Sequence, residues 1–145
     1  MLPKRVVPLA IVSPVRDEAK YVRNTLDAMV AQTVQPLEWL FVDDGSRDDT
    51  RAIIESYAVQ HPWIRVISRD DRGFRQLGTG VIVAFDYGRE RLANPDYRYI
   101  AKLDGEAVVV RIAVVFGAAT APIVEGDHAP IGIGRDQPGG QFVEI

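Results

Sequence analysis

The sequence contains no cysteine among its 145 residues. A disulfide framework, a thiolate nucleophile and a zinc or iron–sulfur site built on cysteine are therefore excluded. An excess of positive charge is also missing, because 17 Lys and Arg residues stand against 20 Asp and Glu residues and give a net charge of -3. This balance argues against a non-specific nucleic-acid binder, which must neutralise many phosphates. With 47% hydrophobic and 26% charged residues, we expect one soluble globular domain with a substantial core.

Long uninterrupted apolar runs are absent as well. Residues 6–15 follow two basic residues but contain Pro8 and Pro14, and no small-residue cleavage site follows them, so we expect no signal peptide. Residues 107–124 approach the length of a membrane span, but Arg111 lies inside them and a glycine and a proline interrupt them. We expect a cytoplasmic protein, with a peripheral position at the cytoplasmic face of a membrane as the alternative.

The first hundred residues alternate short apolar runs with segments of helical periodicity. This pattern is typical of βαβ units that form a mostly parallel sheet with flanking helices, an α/β fold of three layers. The predicted strands are residues 9–13, 37–42, 64–68 and 99–103, and the predicted helices surround residues 22–30, 53–58 and 76–92.

The composition changes after Glu106. Residues 107–124 are rich in Val and Ala, and residues 125–145 are dense in Gly, Pro and Asp without a helical or strand period. We therefore divide the chain into an α/β region at 1–106 and an atypical tail at 107–145, to which we assign no separate domain. Residues 108–110 and 112–116 have the composition of strands, although no alternation shows which face is buried.

Polar and acidic residues follow the predicted strands. In an open α/β sheet ligands bind beyond the carboxyl ends of the strands, so these junctions are the candidate site. Carboxylates gathered at one edge repel one another unless a cation or donors on a ligand neutralise them, which suggests a divalent metal. The acidic junctions are residues 13–18, 43–50 and 104–106.

Two readings remain open for the acidic junctions. Asp43-Asp44-Gly45-Ser46 suits a turn that leads to a helix N-cap, but a turn does not need two consecutive carboxylates directly after a buried strand. Asp104-Gly105-Glu106 suits Mg²⁺ or Mn²⁺ on a diphosphate, because substrate phosphates then supply most of the ligands. Its simpler interpretation is a polar turn.

Other polar and aromatic residues have weaker patterns. Arg69, Arg72 and Arg75 could clamp phosphates, but a solvated loop whose arginines pair with neighbouring carboxylates is favoured. Neither histidine lies in a catalytic context, and both tryptophans adjoin strands, where packing is favoured over a role as sugar platforms. These residues are His61, His128, Trp39 and Trp63.

Taken together, residues 8–106 resemble the amino-terminal half of a family 2 glycosyltransferase with the GT-A fold, a Rossmann-like sheet. The resemblance is carried by Ile11-Val12-Ser13-Pro14-Val15-Arg16-Asp17-Glu18, by Phe41-Val42-Asp43-Asp44-Gly45-Ser46-Arg47-Asp48-Asp49-Thr50 and by the DXD-like Asp104-Gly105-Glu106. It implies that Asp44 faces the nucleotide base, that the loop of residues 14–18 lies beside it, and that Asp104 lies near ribose and metal. The implied donor-nucleotide residues are Pro14, Asp17, Glu18, Asp43, Asp44, Arg72 and Asp104, and the implied metal ligands are Asp104 and Glu106.

The resemblance also implies a cofactor and partners. These are Mn²⁺ or Mg²⁺, a nucleotide-diphosphate sugar such as a UDP-sugar or GDP-sugar, and an acceptor that the sequence does not identify. In the family the metal triplet usually ends in Asp rather than in Glu106, and a hundred or more further residues bind the acceptor and supply a general base. No such segment is recognised here, so we expect a truncated fold that is incomplete at its carboxyl end, with self-association possible. A frame-shift would explain the composition of residues 107–145.

Two other functions are considered. A non-catalytic nucleotide-binding module or pseudoenzyme would bind nucleotide without turning over a donor. A phosphorylated receiver-like domain also places paired Asp residues beside Mg²⁺, but here the acidic pair follows the second strand, and no lone Asp ends the third. We therefore predict a glycosyltransferase-like protein whose own transfer activity is doubtful.

Overall fold

Short runs rich in branched and aromatic residues form the strands of the computed structural model, which describes residues 3–69, 79–105, 111–116 and 143–144. Such residues pack well on a pleated surface that is covered on both sides. In chain order the elements are β1 (Arg5–Val15), α1 (Ala19–Val30), β2 (Val34–Asp43), α2 (Thr50–Gln60), β3 (Ile64–Ser68), α3 (Thr79–Arg89), β4 (Tyr99–Lys102), β5 (Arg111–Phe116) and β6 (Val143–Glu144).

The strands form one sheet in the order β3-β2-β1-β4-β5-β6. β1, β2, β3 and β4 are parallel, while β5 pairs antiparallel with β4 and β6 pairs antiparallel with β5. The predicted mostly parallel sheet is therefore confirmed. The strand proposed at residues 112–116 corresponds to β5, and the one proposed at 108–110 lies outside the described residues.

Helices cover both faces of the sheet and give the predicted three layers. On one face, Ile11, Trp39 and Phe41 pack with side chains of α1 and α2, including Leu26 and Ile54. On the other face, residues of β1, β2 and β4 pack against α3, and this smaller cluster consists of Ala10, Val12, Val42, Ala84, Phe85 and Ile100. Successive residues of β1 are buried on opposite faces, as expected for a central parallel strand.

The predicted element positions are largely confirmed, with different ends. β1 begins at Arg5 rather than at residue 9, because its pairing with β2 continues to the partners Arg5 and Val34. α3 ends at Arg89 rather than at residue 92, because the chain turns there and the N–H groups of Ala93 and Asn94 donate to the Glu38 carboxylate. A contact remote in sequence therefore replaces the last helical turn.

Candidate functional site

Three segments meet at the carboxyl edge of the sheet. They are residues 16–18 after β1, 44–49 after β2 and 103–105 after β4. The strand order reverses at β1, which has β2 on one side and β4 on the other. In open α/β sheets such a reversal opens a crevice above the strand ends, where ligands bind. This edge is the candidate site.

The first two segments are joined by hydrogen bonds into one unit. The connection begins where the sheet ends, since the N–H of Asp44 donates to the carbonyl of Val15 at 2.9 Å. Side chains of residues 46–50 then accept from the backbone N–H groups of residues 17–19: Asp17 N–H donates to Ser46 Oγ (3.0 Å), Glu18 N–H to Thr50 Oγ1 (2.8 Å) and Ala19 N–H to Asp48 Oδ2 (3.0 Å). In return, the N–H of Arg47 donates to Asp17 Oδ1 at 2.7 Å.

Asp43 is engaged by its own turn. Its side chain is buried, and Oδ1 accepts from the N–H of Ser46 at 2.9 Å. The turn passes through Gly45, whose φ of 80° lies in the left-handed region that glycine adopts without strain. For Asp43 the geometry therefore agrees with the turn reading, while its predicted role at the nucleotide stays a prediction.

Asp44 lies between two arginines. Its carbonyl oxygen accepts from Arg16 Nη1 at 2.8 Å, and its carboxylate oxygen Oδ1 lies 3.5 Å from Arg69 Nη1. All three side chains are mostly shielded from water, with Asp44 15% exposed. The Arg69 guanidinium also lies 5.5 Å from the centre of the Tyr87 ring. Arg16 thus holds the backbone of Asp44, and the Asp44 carboxylate lies beside the Arg69 guanidinium, where it can serve as a hydrogen-bond acceptor for a ligand.

Asp104 differs from Asp44 in being open to water. Its side chain is 66% exposed, and Oδ1 lies 3.1 Å from Nζ of Lys102. A carboxylate of this kind is the oxygen donor that Mg²⁺ and Mn²⁺ prefer. In the described part of the chain no three His, Asp or Glu side chains form a metal-binding group.

Gly105 holds the segment after β4 against the rest of the edge. A Cβ atom placed on it would lie 1.7 Å from Glu18 Oε2 and 2.8 Å from Val15 Cγ1, so no larger residue fits without displacement. Its carbonyl oxygen accepts from the buried Thr25 hydroxyl at 2.8 Å. The Glu18 carboxyl group therefore lies beside the Asp104-Gly105 peptide, which links the first segment to the third.

The structure brings most of the predicted site residues to this one edge. Pro14 pairs with Val42 near the end of β1, and Asp17, Glu18, Asp43, Asp44 and Asp104 lie in the segments that follow the strands. Arg72 and Glu106 lie outside the described residues. The nucleotide and metal roles of all these residues stay predictions.

Thr25 and Lys102 at this edge had received no role from the sequence, and Arg16 had received one only as part of the loop of residues 14–18. Thr25 lies on the apolar face of α1 together with Val22 and Leu26. Its helical spacing from these apolar residues could have predicted from the sequence that Thr25 is buried. Lys102 is a charged residue at the end of an otherwise apolar strand. Arg16 gives no such signal, because its partner is a backbone carbonyl 28 residues away in the sequence.

The carboxyl group of Asp48 at this edge has a shifted pKa. Partial desolvation of the carboxyl group raises its pKa, but hydrogen bonds from the Thr50 hydroxyl and from the N–H groups of Ala19 and Thr50 outweigh that effect. The net pKa lies below the ordinary value of 3.8. The carboxylate form thus stabilises the first turn of α2 and its connection to α1.

A second concave region lies at the opposite, amino edge of the sheet. It is a groove of about 440 Å³ that includes Leu37, Trp63, Arg65 and Pro95. The buried Glu38 carboxylate at its base accepts from Arg65 and from two backbone N–H groups. These groups satisfy one another, and the groove is separate from the acidic edge.

No helix in the described ranges is both long enough and apolar enough to cross a membrane. This finding covers α1, α2 and α3 as bounded above.

Comparison with sequence families gives a match that covers the first two segments of the site, residues 16–18 and 44–49, but not the third, residues 103–105. A model described as Glycosyl transferase family 2 matches residues 10–90. Among curated proteins, the chain is 36% identical to a chondroitin synthase of Escherichia coli over 70 residues, which cover 48% of the chain and 10% of that protein. It is 23% identical to glycosyltransferase GlyG of Streptococcus pneumoniae over 113 residues, which cover 70% of the chain and 38% of that protein. The chain thus spans about a tenth of the chondroitin synthase and about two fifths of GlyG.

Solved structures share the fold at low sequence identity. S. aureus TarS 1-349 superposes with a TM-score of 0.54 and 18% identity over 68% of the chain and 27% of TarS 1-349. The mannosyltransferase PcManGT of Pyrobaculum calidifontis, in complex with GDP-Man and Mn²⁺, superposes with a TM-score of 0.55 and 18% identity, covering 75% of the chain and 32% of that protein. At this identity the likeness establishes the fold alone, and it agrees with the predicted GT-A architecture.

Proposed function

The chain belongs to glycosyl transferase family 2, and on that basis we propose that the carboxyl edge of its sheet binds a nucleotide-diphosphate sugar, the donor in transfer of a glycosyl group to an acceptor. The observation that supports this most is the placement of Asp44. Its carboxylate lies near Arg69 and its carbonyl accepts from Arg16, at the edge where the strand order reverses. A carboxylate held in this way can accept a hydrogen bond from the N–H of a nucleotide base.

The other residues of the edge have complementary roles in this proposal. The loop of residues 14–18 lies beside the base, and Arg72 contacts the phosphates. Asp104, which follows β4, serves the ribose and a divalent cation, with Glu106 as the second ligand. The donor is a UDP-sugar or a GDP-sugar, in line with the UDP, UDP-GlcNAc and GDP-Man named in complexes of the structural neighbours.

Asp104 fits the chemistry of a divalent cation, because it offers an accessible carboxylate oxygen at the strand end. A bound Mn²⁺ or Mg²⁺ would neutralise the charge that develops on the departing diphosphate. Lys102 stays close to the same carboxylate and keeps the side chain at the strand end. In this scheme the chain's own residues bind and orient the donor, and donor hydrolysis without an acceptor is the expected residual reaction.

A thermal-shift titration with UDP and GDP, each with and without Mn²⁺, tests this proposal. A ligand that binds only the folded state stabilises it by about 2.7 kcal/mol at a hundred times its dissociation constant. We expect one nucleotide to raise the melting temperature in a metal-dependent way, and Asp44→Asn and Asp104→Asn to remove most of that shift. Asp96→Asn, an exposed change before β4, is the matched control.

Release of nucleotide from UDP-sugars and GDP-sugars then separates an enzyme from a binding module. Slow release that Asp104→Asn abolishes supports the enzyme. Binding without any release supports the non-catalytic module, and a cooperative melt that no nucleotide shifts contradicts both.

A further inference from the structure

Asp17 has an unusual backbone conformation. Its φ is 53°, and among the described residues it is the only non-glycine residue with positive φ. This region is sparsely populated by residues other than Gly, although Asn and Asp adopt it more readily than most. Such a conformation persists only where the surrounding contacts hold it, and it often marks a functional position.

Two hydrogen bonds of Asp17 run to the neighbouring loop. Its N–H donates to Ser46 Oγ, and its carboxylate oxygen Oδ1 accepts from the N–H of Arg47 at 2.7 Å. The other carboxylate oxygen lies 4.0 Å from Arg16 Nε. The carboxylate is therefore engaged in joining the two loops.

Arg16 directly precedes the turn at Asp17. Arg16 is buried, and its Nη1 atom donates to the carbonyl oxygen of Asp44 at 2.8 Å. A continuous path thus runs from the left-handed turn through Arg16 to Asp44. If the left-handed turn at Asp17 were lost, the backbone at Arg16 would become more mobile. The hydrogen bond from Arg16 to the Asp44 carbonyl would then weaken, and the Asp44 peptide would be less well ordered.

We propose that Asp17 is a positioning residue: its left-handed turn and its carboxylate hold the two loops together so that Asp44 is presented to the nucleotide. This inference deepens the proposed function and depends on it. If the joined arrangement is the binding-competent one, the apparent affinity falls in proportion to its population. Asp17 itself need not touch the nucleotide.

Three substitutions separate the backbone contribution from that of the carboxylate. Asp17→Asn keeps both an acceptor oxygen and tolerance of positive φ, Asp17→Gly keeps only the backbone freedom, and Asp17→Ala loses both. We expect nucleotide affinity within about twofold of wild type for Asp17→Asn, about threefold weaker for Asp17→Gly and about tenfold weaker for Asp17→Ala. The affinities are measured by calorimetric titration of the full chain with UDP and with GDP in the presence of Mn²⁺.

Hydrogen exchange of the Arg47 amide supplies a readout that does not depend on the ligand. We expect this amide to exchange faster in Asp17→Gly and Asp17→Ala than in wild type and Asp17→Asn. Should Asp17→Ala not fold, Ser46→Ala removes the other hydrogen bond of the same connection and should weaken nucleotide binding in the same direction. Asp96→Ala controls for loss of an exposed carboxylate elsewhere.

The results distinguish failure of this inference from failure of the proposed function. If wild type binds a nucleotide and the affinities follow the order above, the inference is supported. If Asp17→Ala binds as tightly as wild type, or Asp17→Asn is as damaging as Asp17→Ala, the inference is overturned while the proposed function stands. If wild type binds neither nucleotide, the proposed function is contradicted, and the positioning role of Asp17, which depends on it, is contradicted as well.

Discussion

At the scale of single residues, the acidic edge is organised by charged and hydroxyl side chains whose partners are backbone groups. Asp43 accepts from the N–H of Ser46, Asp48 accepts from the N–H of Ala19, and Arg16 donates to the carbonyl of Asp44. Hydrogen bonds that involve an ionised group are roughly twice as strong as neutral ones. Hydrogen bonds from side chains to the backbone, and not helix or strand hydrogen bonds, therefore order the loops of the site.

A neutral hydrogen bond in the core gives the first residue-scale prediction. Trp39 Nε1 donates to Ser13 Oγ at 2.8 Å, and both residues are fully buried. Ser13→Ala would leave a buried indole N–H without its acceptor, so we expect a loss of about 1–3 kcal/mol in the free energy of unfolding. Urea unfolding measures it. The control is Ser56→Ala in α2, whose exposed hydroxyl donates to the Ile53 carbonyl. An equal loss in both variants would contradict the argument.

A second residue-scale prediction concerns the pH dependence of stability. The pKa of Asp48 is lowered in the folded state, so the carboxylate stabilises the fold above pH 3.8 and that contribution is lost as the pH falls through the lower folded value. We expect Asp48→Asn to be less stable than wild type at neutral pH, and this difference to shrink below about pH 4. Urea unfolding between pH 2.5 and 7 tests it. A difference that grows in acid would reverse the sign and refute the assignment.

At the scale of secondary structure, close approach between α3 and the sheet depends on one glycine. A Cβ atom on Gly88 would lie 2.6 Å from both Val12 Cγ1 and Val42 Cγ2. These valines belong to the two neighbouring strands β1 and β2, and they form the smaller core cluster together with Phe85 of α3. The helix therefore crosses the sheet at a distance that a side chain at this position would increase.

Gly88→Ala tests this packing. Alanine improves helix propensity by about 1 kcal/mol, but overpacking in a core costs about 1–3 kcal/mol. We expect a net loss of stability and a lower urea midpoint. Val83→Ala, at an exposed position of the same helix, should change stability by no more than about 0.5 kcal/mol. A more stable Gly88→Ala variant would show that α3 can move away from the sheet at no cost.

At the scale of the whole molecule, the two edges of the sheet have different roles. The carboxyl edge carries the acidic loops, whereas Glu38 near the amino edge binds Arg65 of β3 and the N–H groups of Ala93 and Asn94 before β4. Glu38 and Asp43 lie five positions apart along β2, a distance of about 17 Å at ~3.3 Å per residue. Glu38 therefore stabilises the connection of distant chain segments away from the candidate site.

Glu38→Gln should consequently affect stability without affecting binding. The substitution removes a buried charge that has several donors, and we expect a loss of about 2 kcal/mol in the free energy of unfolding. Nucleotide affinity, measured by calorimetry at a temperature where the variant is folded, should equal that of wild type. Glu90→Gln is the control, because Glu90 is exposed and lies 3.7 Å from its partner Arg91. Weaker binding by a folded Glu38→Gln variant would contradict the separation of the two edges.

The sequence by itself determined the α/β class, the parallel strands, three helices, the acidic edge and the family. The strands and turns could be predicted because an apolar run and the turn residues that follow it are local patterns in the sequence. The acidic edge could be predicted because the carboxyl ends of parallel strands lie at one edge of the sheet. The third helix was predicted to extend to residue 92, because nothing local shows that Glu38 captures the N–H groups that follow it.

Only the tertiary structure decided how the edge is held together. Arg16 meets Asp44, Thr25 meets Gly105 and Asp17 meets Arg47 across 28 to 80 residues of sequence. Each of these contacts depends on the register of β1 with its neighbours and on the direction of a single turn, which no periodicity encodes. The sequence therefore placed the acidic residues at one end of the sheet, and the folded chain assigned each of them its partner.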